Sequence, residues 1–571
     1  MSSWTQLDSS PGNRVFYRPL GITETGFYWD SIHNSTADSV MHIHLSKLQQ
    51  DDVAALPNVV RAWRSVKRRF PLLVAEVQAH ESGPRFCVHE GRLEKLLPEE
   101  VTSRDVGSFA EADAFVSSIL EGPRPLSSEL LARVYILRRT DRNDHFHVVM
   151  IVAHCITDGS STSTVMRTFF DALSSPIEHP VDSLEERLAM YLSLESQIPY
   201  KHLSVAQRRW RSAIGFAIYT VRSRVFKGGH TLPGKFTTTT SVTPALPRIL
   251  VQTMPQELSQ LVLHNCKRLG ITFNNAYFTV SQVAMARVLC RRYLRGEIGE
   301  EEWNYRKRQP MHFYGPLNLR PYLDNEWLKK GGAGEVGLNI SFFHFVLPFM
   351  PLGTCDLTSD LVNGAPSFAS LMSFKRFLHR SALVKSQSEK LFRHPRFVDI
   401  SVAAHVDRIE PSRVAALDWV QQGEERRHRE NARLEWVGTN DPILAQGGSS
   451  LGNMDTLFPL EYPLPPSHPL SPSCPEQDPG KAGYKSHATV PEGAVIPSTL
   501  RVEYWRTHLH ARPAELYLGA SKCQHKLQYN VFYDGNVFDD NVVQEWLDEV
   551  LEATSWYLGC SHEVEHPRCK L

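Results

Sequence analysis

A histidine stands at the point in this sequence where a strand-forming run gives way to a helix-forming run. The segment His154-Cys155-Ile156-Thr157-Asp158-Gly159 follows the apolar run 147–153 and precedes the run 160–173, which has helical spacing. An apolar run of this length that ends in a turn predicts a strand, and Ser160 or Ser161 is a suitable N-cap for the following helix. The segment therefore predicts local α/β structure, with His154 fixed where the strand ends.

The residue types in this segment suit general acid–base chemistry. An imidazole with an unperturbed pKa of about 6.5 is mostly neutral at pH 7 and can accept a proton from a hydroxyl group. Asp158 follows four residues later, and we expect Gly159 to let the backbone turn without a Cβ clash. Cys155 is predicted to be a core thiol, since neighbours along a strand point to opposite faces. The chain has 25 histidines, so this spacing alone does not identify a catalytic group.

Length and composition restrict the class of protein. With 571 residues the chain is too long for one compact core, and its 42% hydrophobic and 22% charged residues are typical of globular proteins. A formal net charge of zero argues against nucleic-acid binding. Nine scattered cysteines without CxxC spacing predict reduced thiols and a cytoplasmic location. The sequence shows no signal-peptide pattern and no predicted membrane span.

Strands and helices alternate in both halves of the chain. In the first half we predict strands at 41–45, 72–77, 131–137 and 146–153, and helices at 51–69 and 164–173. In the second half we predict strands at 249–253, 311–319, 338–346 and 524–532, and helices at 255–269, 273–292, 368–392 and 541–557. The predicted organisation is an N-terminal lobe at 1–227, a crossover linker at 228–247 and a C-terminal lobe at 248–571. A proline-rich surface excursion is predicted at about 463–497.

One predicted helix, at about 204–227, is both amphipathic and basic. Its apolar residues fall at helical spacing: Trp210, Ala213, Ile214, Ala217, Ile218, Val221 and Val225. Its charged residues are all basic: Arg208, Arg209, Arg211, Arg222, Arg224 and Lys227. The simpler interpretation is a surface helix whose apolar face packs on the core. The alternative is a membrane-surface or lid helix, which would make the protein peripheral to membranes.

Several short segments resemble a known superfamily of acyltransferases. The superfamily includes chloramphenicol acetyltransferase, plant BAHD acyltransferases, nonribosomal condensation domains and fungal alcohol acetyltransferases, and its members carry His-x-x-x-Asp-Gly where a strand ends. The further segments that agree, in family order, are Arg69-Phe70-Pro71-Leu72-Leu73, Leu131-Ala132-Arg133-Val134, Gly270-Ile271-Thr272-Phe273-Asn274, Asn318-Leu319-Arg320-Pro321, Ser449-Ser450-Leu451-Gly452 and Tyr529-Asn530-Val531-Phe532-Tyr533. Within the superfamily the chain most resembles fungal trichothecene 15-O-acetyltransferase-type enzymes. The resemblance implies an α/β fold with two chloramphenicol acetyltransferase-like half-domains, mixed sheets flanked by helices, and an active-site tunnel at their interface.

The chain also departs from parts of this superfamily. Condensation domains usually have two adjacent histidines, but Ala153 occupies the first position here, and the Asp-Phe-Gly-Trp-Gly segment of plant BAHD enzymes is absent. The resemblance therefore favours an acyl-CoA-dependent O-acyltransferase, with acetyl-CoA as co-substrate and a small terpenoid-like secondary-metabolite alcohol as acceptor. An amide-forming condensation-type acyltransferase and a non-catalytic ligand-binding member of the fold are the alternatives. The resemblance further implies no metal, no permanently bound cofactor and a monomer.

The resemblance also assigns roles to individual residues. His154 would be the general base, and Asp158 would form a buried ion pair with Arg320 that, with Gly159, supports the catalytic loop. Asn318, Ser449 and Ser450 are candidates for oxyanion or substrate contacts.

Two further sequence patterns are typical of other chemistries, namely nucleophilic catalysis and metal binding. The segment 448–452 matches the G-x-S-x-G pattern of a nucleophile elbow, but prolines rather than a helical pattern follow it. The histidine pairs His42/His44, His145/His147 and His508/His510 could each face one side of a strand and bind a metal. We expect each pair to stand alone, without a nearby third ligand.

Overall fold

In the computed structural model, the described residues form strands and helices along nearly the whole chain. These residues are 4–8, 13–48, 52–175, 181–200, 202–235, 244–353, 355–422, 443–465, 467–471 and 499–560. Most of the proline-rich segment 463–497, and the middle of the predicted linker at 236–243, lie outside them. No helix within the described ranges is long and apolar enough to cross a membrane.

The α-helices, numbered in chain order, are α1 Ile22–Ile32, α2 Leu56–Arg69, α3 Phe109–Glu121, α4 Gly159–Ser174, α5 Leu184–Leu188, α6 Val205–Ser223, α7 Gln256–Arg268, α8 Phe273–Leu294, α9 Glu300–Arg306, α10 Asn325–Lys329, α11 Phe368–Leu371, α12 Phe374–Phe392, α13 Phe397–Gln422 and α14 Asp540–Leu558.

The strands are β1 Thr5–Asp8, β2 Val15–Pro19, β3 Ser39–Lys47, β4 Glu76–Gln78, β5 Arg85–His89, β6 Val101–Val106, β7 Ala132–Arg139, β8 His145–Val152, β9 Pro247–Thr253, β10 Met311–Asn318, β11 Ile340–Leu347, β12 Leu361–Val362, β13 Ala365–Pro366, β14 Leu444–Gly447, β15 Ser450–Asn453, β16 Glu461–Tyr462, β17 Leu500–Leu509, β18 Leu516–Cys523 and β19 Lys526–Asp534.

The first large sheet holds the strand that leads to His154. Its order is β16-β17-β3-β8-β7-β6, and β6 and β7 are the parallel pair. All eight residues of β8 are buried, because helices cover both faces of the sheet. On one side α2 packs on α4 through Trp63 and Phe169, whose rings lie 6.2 Å apart. On the other side Phe109 of α3 packs against the histidines of β3.

The second large sheet has the order β11-β10-β14-β18-β19-β9, with β15 also paired to β18. It packs on α8, in which every residue from 275 to 291 is buried. A helix that is buried on all sides belongs to the centre of a core, and α12 and α14 pack around it. Residues of the first half of the chain also form a separate four-stranded sheet with the order β1-β2-β5-β4. The mixed sheets flanked by helices confirm the predicted α/β class.

Two strands from late in the chain belong to the first sheet. β17 pairs antiparallel with β3 from Leu500 opposite Lys47 to Leu509 opposite Ser39, and β16 pairs with β17. The first hydrophobic core accordingly contains Tyr462 and Trp505. The lobe boundaries at 227 and 248 remain a prediction. Strands β16 and β17, from the predicted C-terminal lobe, nevertheless belong to the first sheet.

Two local predictions differ from the structure. The predicted strand at 72–77 is a 3-10 helix at Pro71–Val74 followed by β4. The predicted helix at 368–392 is interrupted between α11 and α12. Met372 has extended backbone there, and the Ser373 side chain accepts a hydrogen bond from the backbone N–H of Arg376 as a new N-cap, which restarts the helix.

Candidate active site

His154 lies in a short loop between the end of β8 and the start of α4. Asp158, rather than the expected Ser160 or Ser161, is the N-cap of α4, and its Oδ1 accepts a 3.0 Å hydrogen bond from the backbone N–H of Ser161. A carboxylate at this position also interacts favourably with the N-terminal end of the helix dipole. The helix cap and the motif aspartate are therefore the same residue, which ties the histidine loop to α4.

The His154 ring is half-buried and held by an aromatic neighbour. It stacks on Phe27 of α1 at a centroid distance of 4.3 Å. Its Nδ1 atom is buried without a well-aligned hydrogen bond. Burial lowers the pKa of His154, although nearby backbone groups and the carboxylates of Asp158 and Asp38 oppose the shift. The imidazole is therefore neutral at pH 7, the state in which it can accept a proton.

Asp158 and Arg320 form the buried ion pair that we expected. Arg320 Nη1 lies 2.8 Å from Asp158 Oδ2, and the backbone N–H of Asn339 donates to the same oxygen at 2.9 Å. Burial raises the pKa of Asp158, but Arg320 and these hydrogen bonds outweigh that effect and leave the pKa lowered. Among the described residues no hydrogen bond joins Asp158 to His154. The carboxylate thus fixes the loop rather than the ring.

Ser161 and Asn318 extend this cluster around Arg320. Ser161 Oγ accepts a 2.7 Å hydrogen bond from Arg320 Nη2 and donates to the carbonyl of Gly337 at 2.8 Å. Asn318 Oδ1 accepts from the backbone N–H of Arg320 at 3.1 Å. We call Asp158, Ser161, Asn318, Arg320 and the backbone at 337–339 the Asp158–Arg320 cluster. It joins α4 to the segments before and after α10, from opposite halves of the chain.

A second buried ion pair, which the sequence did not reveal, lies behind His154. Asp38, just before β3, is fully buried, and its Oδ2 accepts a 2.7 Å hydrogen bond from Arg124 Nε. The pKa of Asp38 is raised, because the effect of burial outweighs the lowering by Arg124 and by a hydrogen bond from the His154 backbone N–H. Asp38 therefore holds the backbone of the catalytic candidate itself. No motif contains either residue, so the sequence offered no signal for this pair.

A third buried charge cluster holds the segment that faces α4. Glu335 pairs with Arg69 and Arg187, and Tyr191 donates to Glu335 Oε2 at 2.8 Å. Burial raises the pKa of Glu335, but the two guanidinium groups outweigh it and leave the pKa lowered. Only Arg69 belonged to a segment that the sequence singled out. This cluster fixes the chain two residues before Gly337 of the Asp158–Arg320 cluster.

The two candidate serines have hydrogen-bond partners outside the histidine loop. Ser449 Oγ is 3.2 Å from the hydroxyl of Tyr517, and Ser450 Oγ accepts from the backbone N–H of Gly452 at 3.3 Å. Leu451, the next residue, comes within 3.8 Å of the position that a Cβ on Gly159 would occupy. Ser450 opens β15, and a 3-10 helix rather than an α-helix follows that strand. A nucleophile elbow needs a strand before the serine and a helix directly after it, so the segment 448–452 is not a nucleophile elbow.

The steric reason expected for Gly159 is wrong. A Cβ there would make only an ordinary contact with Leu451, and the backbone is not left-handed. Gly159 is exposed and leaves open space beside the loop instead. Cys155 is fully buried, and burial raises the pKa of its thiol, as expected for a core cysteine.

The histidine pairs do not stand alone as expected, because strand pairing brings them together. His42 and His44 of β3, His145 and His147 of β8, and His508 of β17 share one face of the first sheet beneath α3, and we call them the histidine layer. His42 Nε2 lies 2.9 Å from His147 Nδ1, and the rings of His44 and His147 stack at 4.6 Å. Burial lowers the pKa of His147 to about 2 and that of His508 to about 3. Even so, no group of three or more His, Cys, Asp or Glu side chains in the described ranges could hold a metal ion.

Acetyl-CoA would require cationic side chains to bind its phosphates. One surface cleft of about 550 Å³ is lined by three cationic side chains. Each is already paired with a carboxylate: Lys235 with Asp539, Arg248 with Glu121, and Arg292 with Glu297. This cleft is therefore a poor phosphate site. CoA, the absence of a metal and the monomeric state remain predictions.

The fold is similar to solved structures along nearly the whole chain. The trichothecene 15-O-acetyltransferase from Fusarium sporotrichioides has a TM-score of 0.64 at 10% identity, with 98% of each chain covered. The condensation domain of the monacolin K polyketide synthase has a TM-score of 0.56 at 10% identity, covering 97% of this chain and 98% of that one. The first condensation domain of the calcium-dependent antibiotic synthetase has a TM-score of 0.55 at 11% identity, covering 95% and 96%.

No family model and no curated protein matches the sequence. At identities near 10% the structural similarity establishes the fold alone. The chain has the two-lobed fold shared by the chloramphenicol acetyltransferase-like and condensation proteins, as its sequence segments predicted.

Proposed function

We propose that this protein is an acyl-CoA-dependent O-acyltransferase, with acetyl-CoA as donor and a small terpenoid-like alcohol as acceptor. The observation that carries the proposal is the state of His154: a half-buried, neutral imidazole, stacked on Phe27, in a loop fixed by buried ion pairs on two sides. A fixed neutral imidazole is what general-base chemistry on an alcohol requires. The fold of the similar structures, one of which is an acetyltransferase, agrees with this reaction class.

In the proposed reaction, His154 works as a single base. Nε2 accepts the proton of the acceptor hydroxyl as its oxygen attacks the thioester carbonyl. The tetrahedral intermediate collapses by breaking the carbon–sulfur bond, and the proton on Nε2 passes to the leaving CoA sulfur. General-base catalysis contributes about 10²–10⁴-fold, and holding both substrates in the predicted tunnel supplies much of the remaining acceleration.

Ser450 is our first choice for the oxyanion donor. Its hydroxyl accepts a hydrogen bond from Gly452 and retains its own proton to donate, and the adjacent Leu451 approaches Gly159 of the histidine loop. Ser449 and Asn318 are weaker choices, because Tyr517 and Arg320 already engage them.

The test is release of CoA thiol from acetyl-CoA in the presence of a panel of sesquiterpenoid and aliphatic alcohols. We expect acceptor-dependent release that falls by at least about 10²-fold in His154→Ala. His264→Ala, at an exposed histidine on α7, is the matched control and should retain the wild-type rate.

Three results would point elsewhere. Equal rates in wild type and a folded His154→Ala variant would remove His154 from the mechanism. Release with amines but no alcohol would favour the condensation-type alternative. Ligand binding without turnover of any acceptor would favour a non-catalytic member of the fold.

A further inference from the structure

Helix α6 presents its apolar residues to solvent instead of to the core. None of the seven apolar residues that define its predicted stripe is buried, and Trp210 and Val221 are 68% and 63% exposed. Seven exposed residues lie along one side, and we call them the outer face of α6: Ala206, Arg209, Trp210, Ala213, Ala217, Val221 and Arg224. The spacing of three and four residues places these side chains along one side of the helix. The simpler interpretation from the sequence, an apolar face packed on the core, is therefore wrong.

The opposite face of α6 attaches the helix firmly to α13. Gly215 is the one buried residue of α6, and a Cβ there would lie within 3 Å of Asp399. Arg211 pairs with Asp399 at 2.8 Å, and the hydroxyl of Tyr219 donates to Asp407 at 3.0 Å. A glycine, an arginine and a tyrosine thus contribute to this contact, and Ile214 and Ile218 of the apolar stripe are half-buried. Such close contacts also argue against a lid that swings freely.

The charge of this region has one sign. The segment 204–227 contains six basic and no acidic residues, and only Arg211 forms an ion pair with a described carboxylate. Arg209 and the C-cap residue Arg224 lie on the outer face itself. Val225, which is 75% exposed, and Lys227 follow just beyond the helix. The exposed surface therefore combines a tryptophan, valines and alanines with basic residues that no described carboxylate pairs with, apart from Arg211.

We propose that the outer face of α6 binds the surface of an anionic phospholipid bilayer. Positive charge complements the headgroups, while Trp210 and Val221 enter the boundary between headgroups and acyl chains. Tryptophan suits this boundary because its ring is apolar and its N–H can hydrogen-bond. At about 1.5 Å per residue, the 19-residue helix lies along the membrane for about 28 Å.

A second copy of the chain is the competing occupant. A two-fold contact would place the outer face of one copy against the same face of another, so that the arginines of both copies, Arg209 and Arg224, would lie on the two facing surfaces. Like charges in contact disfavour that arrangement, and a bilayer of opposite charge favours the membrane. The proposal does not depend on the acyl-transfer reaction.

The test uses the full chain and sedimentation with vesicles of phosphatidylcholine alone or with added phosphatidylserine. We expect phosphatidylserine to strengthen binding at least about tenfold, and high salt to reverse the gain. Trp210→Ala should weaken binding several-fold, and the double reversal Arg209→Glu/Arg224→Glu should abolish it. Because these residues are exposed, circular dichroism and the thermal melting temperature should stay unchanged.

The matched control is a double reversal on another basic surface helix. Lys267→Glu/Arg268→Glu on α7 changes the net charge equally and should leave vesicle binding intact. Equal loss in both double variants would overturn the proposal, because net charge alone would then explain binding. Absence of binding, or equal binding to neutral and anionic vesicles, would overturn it as well. So would a dimer in light scattering that Trp210→Ala dissociates, since the occupant would then be a second copy.

Discussion

Two buried polar regions near the first sheet differ in how they compensate for burial. In the Asp158–Arg320 cluster, both oxygens of Asp158 accept hydrogen bonds and a guanidinium balances the charge. In the histidine layer, Nε2 of His147 and both ring nitrogens of His508 are buried without a partner. The first region keeps its charges because they are paired, whereas His147 and His508 in the second region avoid charge by remaining neutral.

This difference separates two roles of buried polar groups. A paired cluster fixes geometry over a wide pH range, which suits a loop that must hold a catalytic base. Buried neutral histidines such as His147 and His508 instead make stability depend on pH. The two regions should therefore respond in opposite ways to mutation and to acid.

The largest expected effect comes from breaking the ion pair. Arg320→Met leaves Asp158 buried without its counter-charge, so we expect the free energy of unfolding to fall by about 3–5 kcal/mol. Urea denaturation measures this loss. Lys329→Met removes one partner of the exposed Lys329–Glu326 pair and should cost at most about 1 kcal/mol. Equal losses in the two variants would mean that burial of the pair contributes nothing.

Acid should act on the histidine layer before it acts on the ion pair. The pKa values of His147 and His508 are lowered to about 2 and about 3, so below about 6.5 the unfolded chain binds protons that the folded chain does not. Stability is therefore lost as pH falls, by about 2 kcal/mol for each of these histidines at about pH 5. Asp158, whose pKa is lowered, contributes stability that persists through this range and is lost only in stronger acid.

Urea denaturation at a series of pH values checks this order. His508→Asn should remove about 2 kcal/mol of the loss between neutral pH and about pH 5. His264→Asn, at an exposed histidine, should leave the pH dependence unchanged. A wild-type stability that is flat between those pH values would contradict the neutral state of His147 and His508.

The sequence predicted one of these regions better than the other. The run that ends in His154 and the partner of Asp158 were both predicted, the first from hydrophobic pattern and the second from family resemblance. Asp38, Arg124 and Glu335 were missed because a single charged residue carries no motif. Their roles depend on which segments meet after folding.

The histidine layer was missed for a different reason. Spacing of two residues shows that His42 and His44 share a face of a strand, but it does not show which strands are neighbours. β17 pairs with β3 across more than 450 residues, and no local pattern encodes that register. Similarly, the pattern of α6 showed that the helix is amphipathic but not which side of it contacts α13.

A smaller effect tests whether Ser161 belongs to the paired cluster. Ser161→Ala leaves Arg320 Nη2 and the backbone N–H of Gly337 each without one hydrogen bond, so we expect a loss of about 1–2 kcal/mol. Ser163→Ala, two residues along α4, removes only a hydrogen bond to the Gly159 carbonyl and should cost less. Urea denaturation of both variants gives the comparison. A larger loss for Ser163→Ala would place the stabilising contact elsewhere.

The smallest effect on stability is expected at Gly159, where the cluster meets open space. Because the backbone of this first helical residue suits any side chain, Gly159→Ala should raise the free energy of unfolding by about 0.4–1 kcal/mol. The added methyl group would point toward Leu451, into the open space beside the histidine loop where the proposed reaction would place its substrate. One methyl group in a substrate site costs about 1–3 kcal/mol, so kcat/KM should fall about tenfold or more. Higher stability together with lower kcat/KM would show that the glycine leaves room for substrate beside His154. Unchanged kinetics would place the substrate elsewhere. Gly448→Ala is the contrast, because a Cβ there would clash with the carbonyl of Leu518 and should destabilise the fold itself.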